Sequence, residues 1–140
     1  MALEVSKVKV YAAAIEDQPG GLAAKLKALA EAGANLEFVI ARREAKRPGT
    51  AVVFVAGLKG AAQAKAARAA GFAVTDSLHS VRAAGADQPG LGSRVTEALA
   101  AAGINLRGLS AASIGKRCVF YLALDRAVDA TKAVRVLKKF

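Results

Sequence analysis

Asp17-Gln18-Pro19-Gly20 recurs as Asp87-Gln88-Pro89-Gly90, 70 positions later in a chain of 140 residues. At the same displacement Leu29 answers to Leu99, Gly33 to Gly103, Asn35-Leu36 to Asn105-Leu106, and Lys46-Arg47 to Lys116-Arg117. Pro48-Gly49-Thr50 has no counterpart, so the register slips by three. Ala51-Val52-Val53-Phe54-Val55-Ala56 then faces Cys118-Val119-Phe120-Tyr121-Leu122-Ala123. A tetrapeptide, a helix end and a hairpin kept in one register identify an internal duplication.

Outward from the first tetrapeptide, the elements follow from periodicity. Val8, Val10, Ala12 and Ala14 alternate with Lys9, Tyr11 and Ala13, the pattern of a half-buried strand. Pro19 falls where a first helical residue belongs, with Asp17 or Gln18 as the cap. Leu22, Leu26 and Leu29 are spaced for a helix that stops at Gly33. Leu36, Phe38 and Ile40 alternate as a second strand. Arg42 to Gly49 makes a polar hairpin with a Pro-Gly turn, and Val52 to Ala56 returns. An alanine-rich helix over Gly60 to Ala70 stops at Gly71, and Phe72 to Thr75 makes a short fourth strand. The order is βαββαβ.

The second half repeats it: a strand from Leu78 to Ala84, then a helix carrying Leu91, Val95, Leu99 and Ala102. Paired strands over Ile104 to Ile114 and Cys118 to Leu124 follow, with a last helix from Val128 to Leu137. Phe140 stands about where a fourth strand would start. The second sheet is therefore expected to lack or truncate its last strand, leaving an edge for another chain to cover.

Composition bounds the function classes. Hydrophobic residues make up 54 % but aromatics only 5 %, with no tryptophan. Much of that apolar fraction is alanine, which favours helix but buries little area. Each half, at roughly 70 residues, buries only about 60 % of its unfolded surface, so each is expected to lean on a partner. No long charge-free stretch exists, which excludes a transmembrane helix. The first residues show no secretory signal, and Cys118 is the only cysteine, so a cytoplasmic setting is expected. Lys and Arg outnumber Asp and Glu by 21 to 11. No basic run exceeds two residues, however, which fits solvated faces and hairpins.

A strand, a D-x-P-G turn, a helix ending in Gly and an Asn opening the next strand together resemble the ACT domain, a small regulatory module. The resemblance covers both halves, from about Val5 to Thr75 and from Leu78 to Phe140, and includes Gly33 to Leu36 and Gly103 to Leu106. It implies an α+β fold of two ferredoxin-like modules, residues 1–76 and 77–140, with antiparallel sheets and helices on one face. It also implies likeness to small stand-alone tandem-ACT proteins described as amino-acid-binding. ACT domains that bind amino acids use the equivalent loop and Asn, generally at an interface between two ACT units. The residues so marked are Asp17, Gln18, Pro19, Gly20, Gly21, Leu22, Asn35 and Leu36, and Asp87, Gln88, Pro89, Gly90, Leu91, Asn105 and Leu106.

The turn has a physical use of its own. The first amides of a helix lack intrahelical partners, and with the helix dipole they favour a carboxylate. Gly20 and Gly21 permit close backbone approach. Asp17 offers an acceptor to an ammonium group, and Asn35 offers both donor and acceptor. A zwitterionic amino acid fits that set. Asp before Pro-Gly is equally what an ordinary capped helix needs, and Gly-x-Asn is a common helix-to-strand turn, so both readings stand at this point.

The two copies differ. Ile15-Glu16 precedes Asp17, whereas Gly85-Ala86 precedes Asp87, where Gly85 leaves space that a side chain would fill. Gly21-Leu22 also corresponds to Leu91-Gly92. If one loop binds, Asp87 is favoured.

Other constellations carry less. His79 is the sole histidine and no Cys/His cluster exists, so no metal site or cofactor is expected. A triad written with Ser110 or Ser113 lacks any nucleophile motif. Cys118 opens an apolar strand and is read as buried. Gly57 to Gly60 is neither a P-loop nor a dinucleotide fingerprint. No catalytic constellation is present, so the chain is read as a non-enzyme. Arg42, Arg43, Lys46 and Arg47 at one hairpin, and Lys116 and Arg117 at the other, offer a rival role. That role is an interaction module docking an acidic protein or nucleic acid. Phe54, Phe120 and Tyr121 do not make a stacking platform, which argues against RNA. The expected partners are a small-molecule ligand, an amino acid first, and a second copy of the chain as a homodimer.

Overall fold

The computed structural model describes residues 2–74 and 79–140. Its elements are β1 (Glu4–Val8), β2 (Val10–Glu16), α1 (Gly21–Glu31), β3 (Phe38–Arg43), β4 (Thr50–Ala56), α2 (Gly60–Ala69) and β5 (Ala73–Val74). The second half gives β6 (His79–Ala86), α3 (Leu91–Ala101), β7 (Leu106–Ile114), β8 (Arg117–Leu124) and α4 (Ala127–Leu137). The expected ends at Thr75 and Leu78 lie outside the described residues. Among the described residues no helix is long and apolar enough to cross a membrane.

Two antiparallel four-stranded sheets form, ordered β3-β4-β2-β5 and β1-β6-β8-β7. Two compact units accompany them: a continuous one, Lys9–Thr75, and a split one made of Met1–Val8 with Asp76–Phe140. Both have the ferredoxin-like α+β fold. Division at residue 76 by sequence position thus gives way to a different grouping. β1 lies antiparallel to β6, with Glu4 opposite Ala84 and Val8 opposite Ser80. It takes the place that β5 takes beside β2, where Tyr11 faces Val74 and Ala12 faces Ala73. The chain's second half supplies no fourth strand of its own, as expected, but β1 fills that place, so the expected open edge is covered from within the chain. Local alternation in 4–16 reveals strand, but it does not say which sheet edge each part joins.

The first strand's face, which alternation leaves open, is set by burial. Tyr11 and Ala13 are buried, with Ile15 packed beside them, while Val10 and Ala12 are only half-buried. Every residue from Val10 to Ile15 is apolar or aromatic, so alternation alone does not choose the inward set. In the continuous unit the core is Tyr11, Ala13, Leu29, Val53, Val55, Ala67 and Phe72. The split unit packs larger side chains: Val95, Leu99, Phe120, Leu122, Leu124 and Leu137 are among its buried residues. Cys118 is a free thiol buried in that core.

Both first helices end the same way. The amide of Gly33 donates to the carbonyl of Ala30 and that of Ala34 to Leu29; Gly103 and Ile104 repeat this with Ala100 and Leu99. Gly33 has φ +82° and Gly103 +74°, the left-handed turn that closes a helix and releases the chain into the next strand.

Candidate functional site

Each D-Q-P-G loop is pinned to the hairpin of its own unit. The Asp17 amide donates to the Gly49 carbonyl at 3.0 Å, and the Asp87 amide to the Lys116 carbonyl at 2.8 Å. The loops and the basic hairpins, read from sequence as carriers of rival functions, thus share one end of each unit.

Neither aspartate caps its helix. Helix α1 starts at Gly21 behind Gly20, and α3 at Leu91 behind Gly90, with no side-chain cap hydrogen bond at either. Pro19 is therefore not the first helical residue. One residue later, Gly20 and Gly90 turn the chain at φ +86° and +79°, a conformation that shifts the helix start past the proline. The Gln18 carbonyl accepts from the Gly21 amide and the Gln88 carbonyl from the Leu91 amide, each closing a turn. The following amides, of Leu22 and Ala23 and of Gly92 and Ser93, lie in the first turn, where an α-helix supplies no acceptor.

The two loops are dressed differently. Asp17 Oδ2 accepts from Arg43 Nε at 2.7 Å, an exposed ion pair. Asp87 is exposed. Beside it, Arg94 Nη2 donates to Gln88 Oε1 at 3.0 Å, with a longer contact of 3.4 Å from Nη1 to the Pro89 carbonyl. Arg94 stands where the first copy has Ala24. That exchange, visible in the alignment of the copies, is the signal that would have found it.

The glycines also part company. A Cβ at Gly20 would meet nothing within 4 Å, so that backbone is open to an approaching molecule. A Cβ at Gly21 would press on the Glu16 carbonyl oxygen, so its role is to let the chain fold against itself. The space at Gly85 is occupied too: a Cβ there would lie 2.9 Å from Leu3 Cδ2 and 3.3 Å from the Ala2 carbonyl oxygen.

Within one unit the loop and the asparagine do not meet. β2 runs from Val10, opposite Ala56, to Glu16, opposite Thr50, and β3 begins at Phe38, again opposite Ala56. Asp17 follows the Thr50 end and Asn35 precedes the Ala56 end, separated by a strand length of about 20 Å. The split unit repeats the arrangement: Ala86 faces Arg117, while His79 and Leu106 both face Leu124. Asp87 and Asn105 are thus at opposite ends, each exposed. Leu22, Leu36 and Leu106 pack at the margins of the two cores, and Leu91 is buried. One zwitterion does not reach both Asp and Asn of the same unit.

A cleft of about 200 Å³ flanks the second loop, lined by Ala2, Leu3, Ala86, Gln88, Leu91, Arg94 and Phe140. His79 opens β6 and is half-buried opposite Leu124, a strand-face position.

Two ferredoxin-like modules, each with its first loop locked to a hairpin, define an ACT-like α+β protein. Solved structures share this fold. The chain is similar to protein BT0572 from Bacteroides thetaiotaomicron, at 16 % identity over 94 % of this chain and 88 % of that one, with a TM-score of 0.77. It is also similar to the ligand-free regulatory subunit of aspartate kinase from Thermus thermophilus, at 19 % identity over 99 % and 96 % of the two chains, with a TM-score of 0.66. Aspartate kinase from Clostridium acetobutylicum matches at 18 % identity and a TM-score of 0.62, with 98 % of this chain laid on 33 % of the enzyme. No family model matches the sequence, and no curated protein does. At these identities the likeness establishes the fold.

Proposed function

We propose that the chain is a non-catalytic regulatory protein that binds a small molecule, an amino acid first, at its D-Q-P-G loops in a homodimer. The observation that carries this is the pair of uncapped helix mouths. Asp17 and Asp87 stand beside first-turn amides without satisfying them, so the donors remain available to a ligand carboxylate; Asp87 offers its carboxylate to an ammonium group, while Asp17 is already paired with Arg43.

The separation of Asp from Asn supports the dimer. β3 and β7 are edge strands of their sheets. Antiparallel pairing of such an edge with its own copy lays the start of one strand against the end of the other. Asn35 of a second copy then approaches Asp17, and Asn105 of a second copy approaches Asp87. A ligand bridging the two copies favours the associated state to the extent that it binds that state better. The docking role of the basic hairpins is the weaker reading, because Arg43 and Arg117 are already engaged by Asp17 and Glu4. The buried free thiol of Cys118 fits a cytoplasmic setting.

A thermal-shift screen of the twenty amino acids, with light scattering on any hit, tests the reading. At least one amino acid is expected to raise the melting temperature and the dimer fraction together. A flat screen on a monomeric protein would remove it.

A further inference from the structure

We propose that the cleft beside the second loop is a binding site for a small aliphatic carboxylate, complete within one chain. It lies in the split unit between the start of α3 and the residues leading into β1, on the opposite side of the sheet order from β7. It shares Gln88 and Leu91 with the second loop but needs no second copy, unlike the dimeric loop site of the proposed function.

Its chemistry is two-sided. Leu3, Leu91 and Phe140 supply apolar wall, and Leu3 and Leu91 are themselves buried. Arg94 supplies the charge. Its two acceptors, Gln88 Oε1 and the Pro89 carbonyl, are both neutral, and the contact to Pro89 is long. Among the described residues Arg94 makes no ion pair, so its guanidinium fork is open to a bidentate carboxylate. The lining thus mixes polar and apolar surface, with Arg94 and Gln88 as its oriented polar side chains. At about 200 Å³ the cleft admits a molecule of a few carbons. A short branched acid places its carboxylate on Arg94 and its methyls against Leu3 and Leu91.

The first copy lacks the cation and the leucine: Ala24 replaces Arg94 and Gly21 replaces Leu91. The duplication thus left a charged cleft on one unit.

The test uses isovalerate as probe and isovaleramide, its neutral isostere, as control, followed by methyl NMR of the full chain. Isovalerate is expected to shift the Leu3 and Leu91 methyl resonances saturably, with the same affinity at low and high protein concentration. Isovaleramide should bind at least tenfold more weakly. Arg94→Ala should weaken isovalerate at least tenfold, and Arg94→Lys should restore part of it; both variants are checked for the native methyl spectrum. Should Arg94→Ala not fold, Arg94→Gln serves. Equal binding of acid and amide, no saturable shift at Leu3 and Leu91, or full affinity in the Arg94 variants would overturn the site.

Discussion

Leu3 lies over Gly85, so close that a β-carbon on the glycine would come within 2.9 Å of the leucine's Cδ2. That contact fixes the segment before β1 onto the strand that leads to the second loop. Gly85→Ala should force the leucine aside and crowd the Ala2 carbonyl, costing about 1–3 kcal/mol. Urea denaturation checks it, and Leu3→Ala in the same chain should recover part of the loss. A Gly85→Ala protein as stable as the parent would show that the segment is not seated there.

β1 itself is the larger stake. With the residue before it, it buries Leu3 and Val5, and it covers the β6 edge. Deleting residues 1–8 should remove roughly 3–6 kcal/mol of side-chain burial, a large share of an ordinary domain's stability. Hydrogen exchange reads it directly: amides of β6, β8 and α3 should lose protection while those of β2 and β4 keep theirs. Uniform loss, or none, would contradict the split grouping.

How much of this was legible follows from what each signal encodes. The repeat, the βαββαβ order, both hairpins and the glycine stops at Gly33 and Gly103 are local patterns, and they appear where the spacing places them. The membership of β1 is a long-range pairing that no local period records. The inward face of β2 is not recorded locally, because its residues are apolar on both faces. The helix starts moved because a left-handed glycine, not the proline, sets them. Asp17 and Asn35 were grouped by their neighbouring elements, yet a strand length separates them.

Arg126 and Asp129 open α4 as a two-bond pair, Nε to Oδ2 and Nη2 to Oδ1, each 3.0 Å. The hydrogen bond from Arg126 holds the Asp129 carboxyl below its usual range, against the opposing effect of its burial. A folded-state value lowered in this way contributes stability above the ordinary carboxylate range, and that contribution is lost as pH falls through the folded value. Arg126→Ala should therefore be less stable than the parent at pH 7, with the gap closing below about pH 4. Urea midpoints at the two pH values check it; a gap that stays constant would refute the coupling.

Because Asp87 caps nothing, Asp87→Ala should change the stability of the ligand-free protein by no more than about 0.5 kcal/mol. Loss of a true cap costs typically about 1 kcal/mol. Asp17→Ala, which breaks only an exposed ion pair with Arg43, should likewise stay within about 1 kcal/mol. Thermal unfolding of the two variants separates the cases.

The most direct test of a loop on one chain working with an asparagine on another is calorimetric titration of mixed variants. The titrant is the amino acid giving the largest thermal shift, and all chains carry Asp17→Ala so that only the second loop reports. Asp87→Ala and Asn105→Ala should each abolish binding alone. Mixed and re-equilibrated in equal amounts, they should regain about a quarter of the parent's sites, since a two-fold dimer then holds one intact Asp87–Asn105 pair in each mixed species. Undiminished binding by either variant alone, or a mixture that regains nothing, would contradict the account.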